Sequence, residues 1–89
     1  MFDADEPTGG QLRVALFAGM ADVAGTRLVS LPWRGGTVAD VRRLLRAAHP
    51  ALGPLLDRSA VAIGDRYAAD DVTVPAGADL AVIPPVSGG

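Results

Sequence analysis

TVADVRRLLRAAHP, residues 37–50, is the one stretch of this sequence with a clear helical pattern. Thr37 is a good N-cap, and Asp40 three residues later predicts a weaker version of the capping box. The apolar residues that form one stripe at helical spacing are Val38, Val41, Leu44, Leu45 and Ala48. Pro50 should end the helix, because the residue before a proline avoids helical geometry. A helix with one apolar stripe needs a sheet to cover it.

Two strand patterns precede this helix. Residues 11–18, QLRVALFA, place Leu12, Val14 and Leu16 toward the core and Phe17 on the opposite face. Residues 19–26, GMADVAGT, are predicted to form a loop, since glycines interrupt them. Residues 26–33, TRLVSLPW, predict a second strand whose buried face is ambiguous, and Pro32 should place it at a sheet edge.

Short strands follow the helix. Residues 51–59 predict a connector with Leu55 and Leu56 at the core edge, and the Gly64–Asp65 turn should separate strands at 60–63 and 66–68. The last strand, from Leu80 to residue 83, should pair beside the first. The predicted fold class is therefore α+β, a mixed sheet with one main helix across one face. The other face has no helix to cover it, so Phe17 and Ile83 should form an exposed patch for a partner.

Composition sets limits on function. The chain has 89 residues, no cysteine and one histidine, which indicates one domain without disulfides, thiolate chemistry or a His-rich metal site. A net charge of −2 gives no footprint for nucleic acid. No apolar run is long enough to span a membrane, and the acidic start MFDADEPTGG is unlike a signal peptide, so we expect a cytoplasmic protein. All 8 basic residues are arginines, which fits either a coding bias or protection of an activated acyl group from lysine amines.

The sequence offers no convincing enzyme site. His49 stands at a helix end, and nothing associates it with a particular serine, so a surface or helix-capping role is expected. Asp70 and Asp71 lie in a predicted solvated loop. The glycine pairs at 9–10 and 35–36 lack the strand, lysine and hydroxyl residue of a phosphate-binding loop.

The carboxyl end, IPPVSGG at 83–89, carries the chemistry instead. Pro84 and Pro85 favour an extended backbone, and residues 84–89 could reach roughly 20 Å at ~3.3 Å per residue. Gly88 and Gly89 have no Cβ and can enter a slot too narrow for other residues. The terminal carboxylate is a poor electrophile until transfer of AMP from ATP activates it. The alternative is a frayed polar terminus without function.

These motifs resemble one family. VALFA at 14–18, VAG at 23–25, TVADV at 37–41, HPAL at 49–52 and above all PPVSGG at 84–89 are similar to the small subunit of molybdopterin synthase, a ubiquitin-like β-grasp sulfur carrier. The resemblance runs from about Leu12 to Gly89. It implies a β-grasp domain at 11–83 and a projecting tail at 84–89, while the polar, acidic composition of residues 1–10 predicts a disordered leader before them. Related carriers for thiamine synthesis usually lack the two prolines, and the leader is not part of the usual family pattern.

The resemblance implies a sulfur-transfer cycle. An E1-like adenylyltransferase with its own ATP and magnesium would activate Gly89, a sulfurtransferase would convert it to a thiocarboxylate, and the tail would then enter the large synthase subunit of an expected heterotetramer. There the sulfur would pass to cyclic pyranopterin monophosphate. The chain would bind no cofactor and be no enzyme by itself. The residues implied are Gly88 and Gly89 for sulfur transfer, and Phe17, Tyr67, Ile83, Pro84, Pro85 and Val86 for partner binding.

Two alternatives remain open. The first is a carrier of the same fold that serves thiamine, cysteine or tungsten-cofactor synthesis. The second is a ubiquitin-like modifier whose Gly89 forms an isopeptide with a lysine of a target protein.

Overall fold

A computed structural model of the chain describes residues 10–85. Its strands are β1 Gly10–Leu16, β2 Leu28–Trp33, β3 Ala60–Ile63, β4 Arg66–Ala68 and β5 Asp79–Ile83. Its helices are α1 Gly19–Ala24, α2 Val38–Ala48 and α3 Gly53–Leu56, with a 3₁₀ turn at Pro50–Leu52. The strand β1 thus begins at the residue where the predicted leader ends. The rest of the leader and residues 86–89 lie outside the described residues.

The strands form one mixed sheet in the order β2-β1-β5-β3-β4. β5 pairs in parallel with β1 and antiparallel with β3, so the last strand lies beside the first, as predicted. β2 is an edge strand, which explains how Pro32 is tolerated without a backbone N–H. The α+β prediction is confirmed.

Helix α2 begins with the predicted capping box. The Thr37 backbone N–H donates to Asp40 Oδ2 at 2.9 Å, and Thr37 Oγ1 accepts from the Asp40 N–H at 3.4 Å. Gly36, just before the cap, has φ +145°, and a Cβ on it would stand 2.6 Å from Asp40 Oδ2. The cap therefore needs both the Asp40 carboxylate and a residue without a side chain beside it.

The apolar stripe of α2 is narrower than predicted. Val38, Val41 and Leu45 are fully buried, whereas Leu44 is 36% exposed and Ala48 faces solvent. The sheet supplies the other half of this core from alternate residues of its strands. These inward residues include Leu12, Val14 and Leu16 of β1, Val29, Leu31 and Trp33 of β2, Val61 of β3, and Leu80 and Val82 of β5.

The loop predicted for residues 19–26 is wrong. Gly19–Ala24 form the short helix α1, because Met20 inserts fully into the core and its burial outweighs the poor helix propensity of the segment. Gly25, with φ +77°, ends this helix in the left-handed conformation. The strand predicted to begin at Thr26 begins at Leu28 instead, and its ambiguity is resolved with Val29, Leu31 and Trp33 inward.

Arg42 joins α2 to the connector that follows it. Its guanidinium donates to the Leu56 carbonyl, to Ser59 Oγ at 3.0 Å and to the Ser59 carbonyl at 2.9 Å, and it pairs with Asp70 at 2.9 Å. Of the two connector leucines predicted at the core edge, Leu56 is fully buried and Leu55 is half-buried. These contacts hold the helix on one face of the sheet and leave the opposite face open.

Candidate functional site: the open face of the sheet

The open face carries a row of paired residues that crosses all five strands. Ala15 pairs with Leu28 on one side and with Ala81 on the other; Ala81 pairs with Ala62, and Ala62 pairs with Tyr67. Directly paired residues project on the same face of a sheet. The three central strands therefore contribute only methyl groups to this row.

Large apolar side chains stand at both ends of the row. Leu28 on β2 is 53% exposed, and Tyr67 on β4 is 74% exposed. The two edge strands are about 19 Å apart at a strand spacing of about 4.8 Å. The open face is thus a shallow trough with an alanine floor and two apolar walls, which we call the alanine trough.

Phe17 and Ile83 close one end of the alanine trough. Leu16 and Val82 are the last pair between β1 and β5, so Phe17 and Ile83 are the residues that directly follow this pair in the two segments. Phe17, one residue beyond β1, is 49% exposed, and Ile83 is half-buried and pairs with Ala60. The tail leaves β5 at this same end, through half-buried Pro84 and exposed Pro85.

The other end of the trough is polar. Arg13 pairs with Ser30 of β2, and its Nε lies 3.0 Å from Asp79 Oδ1 of β5. The hydrogen bond from this side chain to the Asp79 carboxylate, together with the charge of Asp79, raises the pKa of Arg13. Both side chains are about two-thirds exposed, at 64% and 65%. The face therefore changes from charged to apolar along the strands, toward the exit of the tail.

The structure brings Tyr67 and Ile83 onto this face, with Phe17 at its end. Strand alternation predicted an exposed patch of Phe17 and Ile83, whereas Tyr67 was expected at a partner interface only from the family resemblance. Leu28 and the three alanines were missed as part of the surface. Leu28 could have been found, since it shares a strand face with Ser30 and Pro32. The alanine floor could not, because Ala15, Ala62 and Ala81 come together only through the strand order and register. Val86, Gly88 and Gly89, also predicted as site residues, lie outside the described residues.

The other residues considered for catalysis or metal binding lie at a helix end, in an ion pair or in an exposed turn. His49 caps the end of α2, where its backbone N–H donates to the Leu45 carbonyl at 2.8 Å. Asp70 pairs with Arg42, and Asp71 lies in an exposed turn. Within residues 10–85, no three His, Asp or Glu side chains are grouped to hold a metal ion.

Comparison with known proteins shows the family to which this chain belongs. The profile of the ThiS family matches residues 14–89, a span that includes the end of β1, the strands β2 to β5 and the tail. This chain belongs to the ThiS family. It is a member of a group of small ubiquitin-like proteins that contains sulfur carriers and protein modifiers, and its β-grasp fold is that of the group.

Two curated relatives represent the two kinds of member. The small archaeal modifier protein 1 of Haloferax volcanii is 42% identical over 83 residues, which cover 83% of this chain and 95% of the relative. The molybdopterin synthase sulfur carrier subunit of Dictyostelium discoideum is 30% identical over 83 residues, covering 89% of this chain and 96% of that protein. The crystal structure of the Haloferax volcanii protein superposes with a TM-score of 0.78 at 39% identity, covering 90% of this chain and all of that one (100%).

The described part of the chain has no helix of the length and apolarity needed to cross a membrane.

Proposed function

We propose that this protein is the sulfur carrier subunit of a molybdopterin synthase, with Gly89 as the carrier residue. The observation that carries the proposal is the point at which the tail leaves the sheet. Pro84 and Pro85 follow β5 at the apolar end of the alanine trough, so a partner that covers Phe17 and Ile83 also meets the start of the PPVSGG sequence. The Dictyostelium discoideum relative, named as such a subunit, supports the choice of pathway.

The chemistry resides in the terminal carboxylate. An E1-like enzyme transfers AMP from ATP to a Gly89 oxygen and releases pyrophosphate, which makes AMP the leaving group. The outer sulfur of a persulfide attacks the acyl carbon and AMP departs, which leaves an acyl disulfide. A thiol then attacks the inner sulfur, forms a disulfide with the persulfide donor and releases the Gly89 thiocarboxylate. ATP and magnesium belong to the activating enzyme in this scheme, and the carrier supplies the substrate group and the docking surface.

The large synthase subunit is the proposed final partner, in a heterotetramer. The alanine trough offers it a flat apolar floor, Tyr67 and Phe17 offer exposed aromatic side chains that can act as anchors, and Leu28 adds exposed apolar area. Pro84 and Pro85 limit the backbone freedom that the tail loses on insertion, which lowers the entropic cost of binding.

The second candidate is a protein modifier. It is favoured by the 42% identity to a relative named small archaeal modifier protein 1. In this function the activated Gly89 acyl group would pass to a lysine amine of a target protein and form an isopeptide. Both functions use the same adenylated intermediate, so they differ in the nucleophile that follows.

Variants that change the length of the tail test the proposal. One added alanine after Gly89, or deletion of Gly89, should abolish sulfur transfer to cyclic pyranopterin monophosphate in a reconstituted synthase, because the reactive carbon must sit at a fixed reach. Gly88→Val should also block transfer, since a β-branched side chain fills the slot and restricts the backbone. Thermal melts of all three variants should match the wild type.

A matched control adds one alanine before Met1, at the other end of the chain, and should retain full activity. The proposal fails if the C-terminally extended variant still supports molybdopterin synthesis without being processed. If the wild type forms isopeptides and never transfers sulfur, the modifier function replaces it.

A further inference from the structure

The backbone at Ala18 is unusual for its residue type. Ala18 has φ +52° and ψ −130°, and it is the only non-glycine residue with positive φ among residues 10–85. The Met20 N–H donates to the Phe17 carbonyl at 3.1 Å, so residues 17–20 form a turn with Ala18 at its second position. These angles are those of a type II′ turn, in which that position is dominated by glycine, asparagine or aspartate.

Glycine is available one residue later, where the turn does not require it. Gly19 has no positive φ, and a Cβ added to it would meet nothing within 4 Å. The strain therefore falls on a residue with a side chain, although the turn would be relaxed by glycine at position 18.

The methyl group of Ala18 does not pack against the core that residues 10–85 form. The residue is exposed, and it is not among the partly buried apolar residues that pack against the core, which are Ala21, Ala24, Leu55, Ile63, Ala68 and Ala78. Strained residues persist where the surrounding structure holds them and are concentrated at binding and catalytic sites. The methyl group thus stands against the preference of the backbone, and no core contact among residues 10–85 accounts for it.

Ala18 also lies where two surfaces meet. On one side it follows Phe17 at the end of the alanine trough. On the other it lines an open cleft of about 630 Å³ between α1 and the start of β2. The remaining residues of this cleft are Ala21, Asp22, Gly25, Thr26 and Arg27.

We propose that the partner interface does not end at Phe17 but continues over the methyl group of Ala18 into this cleft, with the E1-like adenylating enzyme as the occupant. The inference rests on the proposed function. This enzyme is chosen because the sulfur carrier and the modifier both require it, so the inference holds for either fate of the acyl group. Asp22 and Arg27 give the cleft one acceptor and one donor side chain, neither in an ion pair with another of the described residues. Both remain available to a polar partner segment.

Two substitutions at position 18 test this contact. Ala18→Gly removes the methyl group and relaxes the turn, and Ala18→Asn also suits the turn but adds bulk. Both variants should melt at or above the wild-type temperature, with a rise of roughly 4 °C for glycine. Affinity for the adenylating enzyme should fall about fourfold for glycine, the contribution of one buried methyl group. It should fall further for asparagine, because its larger polar side chain must fit against the partner.

The control is Ala47→Gly, the same change at an exposed position of α2 on the far side of the sheet. It should lower the melting temperature, because glycine weakens a helix interior, and leave affinity unchanged. Binding is measured by titration calorimetry, and ATP–pyrophosphate exchange shows whether the wild type is a substrate. If the wild type is adenylated and both position-18 variants bind equally well, the interface stops at Phe17 and the inference is overturned. If the wild type is neither bound nor adenylated, the proposed function fails and this inference with it.

Discussion

The two faces of the sheet are made by the same strands and have opposite characters. The face under α2 consists of branched aliphatic side chains that are almost entirely buried, such as Val14, Leu80 and Val82. The open face carries alanines at the neighbouring positions, with Leu28 and Tyr67 exposed at its edges. Since side chains alternate along a strand, neighbouring residues lie on opposite faces of the sheet. One residue packs in the core and stabilises the fold, and the next is exposed to a partner. Substitutions on the two faces should therefore affect different measurements.

The largest effect is expected on the covered face. Leu45→Ala removes a fully buried side chain of α2 and should lower the free energy of unfolding by about 2–5 kcal/mol, because lost burial and a new cavity both contribute. Leu44→Ala is the matched control, the same truncation at a neighbouring residue that is 36% exposed, and should cost far less. Denaturant unfolding measures both. Equal losses would mean that the helix face has been assigned wrongly.

The next effect is expected on the open face, in binding instead of stability. Phe17→Ala should weaken binding to the large synthase subunit by at least about 30-fold, the usual effect of removing an aromatic anchor worth ~2 kcal/mol. Its melting temperature should change little, since Phe17 is 49% exposed. Val72→Ala, at a residue 39% exposed in the loop beside the start of α2, should leave binding unchanged. A collapsed melt with intact affinity per folded molecule would make Phe17 a core residue.

The smallest effect concerns the capping box at the start of α2, the helix that packs on the covered face. The Thr37 backbone N–H and then the Arg43 side chain lower the pKa of Asp40, so folding favours its charged form. That contribution is present above the ordinary aspartate pKa and is lost as pH falls through the lowered one. Asp40→Asn should therefore melt slightly below the wild type at pH 7, and the gap should close in acid. Asp71→Asn, at an exposed turn, serves as the control. A gap that stays constant down to the acid range would show that charge is not the cause.

The sequence predicted the covered face better than the open one. The Thr37 cap, the inward residues of β1 and the position of Pro32 follow from local rules, and the structure has them. Helix α1 does not, because its formation depends on the burial of Met20 by distant parts of the chain. The alanine trough depends on register between strands far apart in sequence, and the strained turn at Ala18 contradicts the local preference for glycine. The alanine trough and the Ala18 turn both lie on the surface proposed for partners.

The most direct test of the account is the mass of the C-terminal fragment after incubation with the adenylating enzyme, ATP and a persulfide donor. A sulfur carrier should show replacement of one oxygen by one sulfur, located at Gly89, in wild-type protein. The account also predicts that the alanine-extended variant stays unmodified. A wild-type terminus that remains a plain carboxylate while the same enzymes load another carrier would contradict the account. So would a Gly89 found only in isopeptide bonds to other proteins.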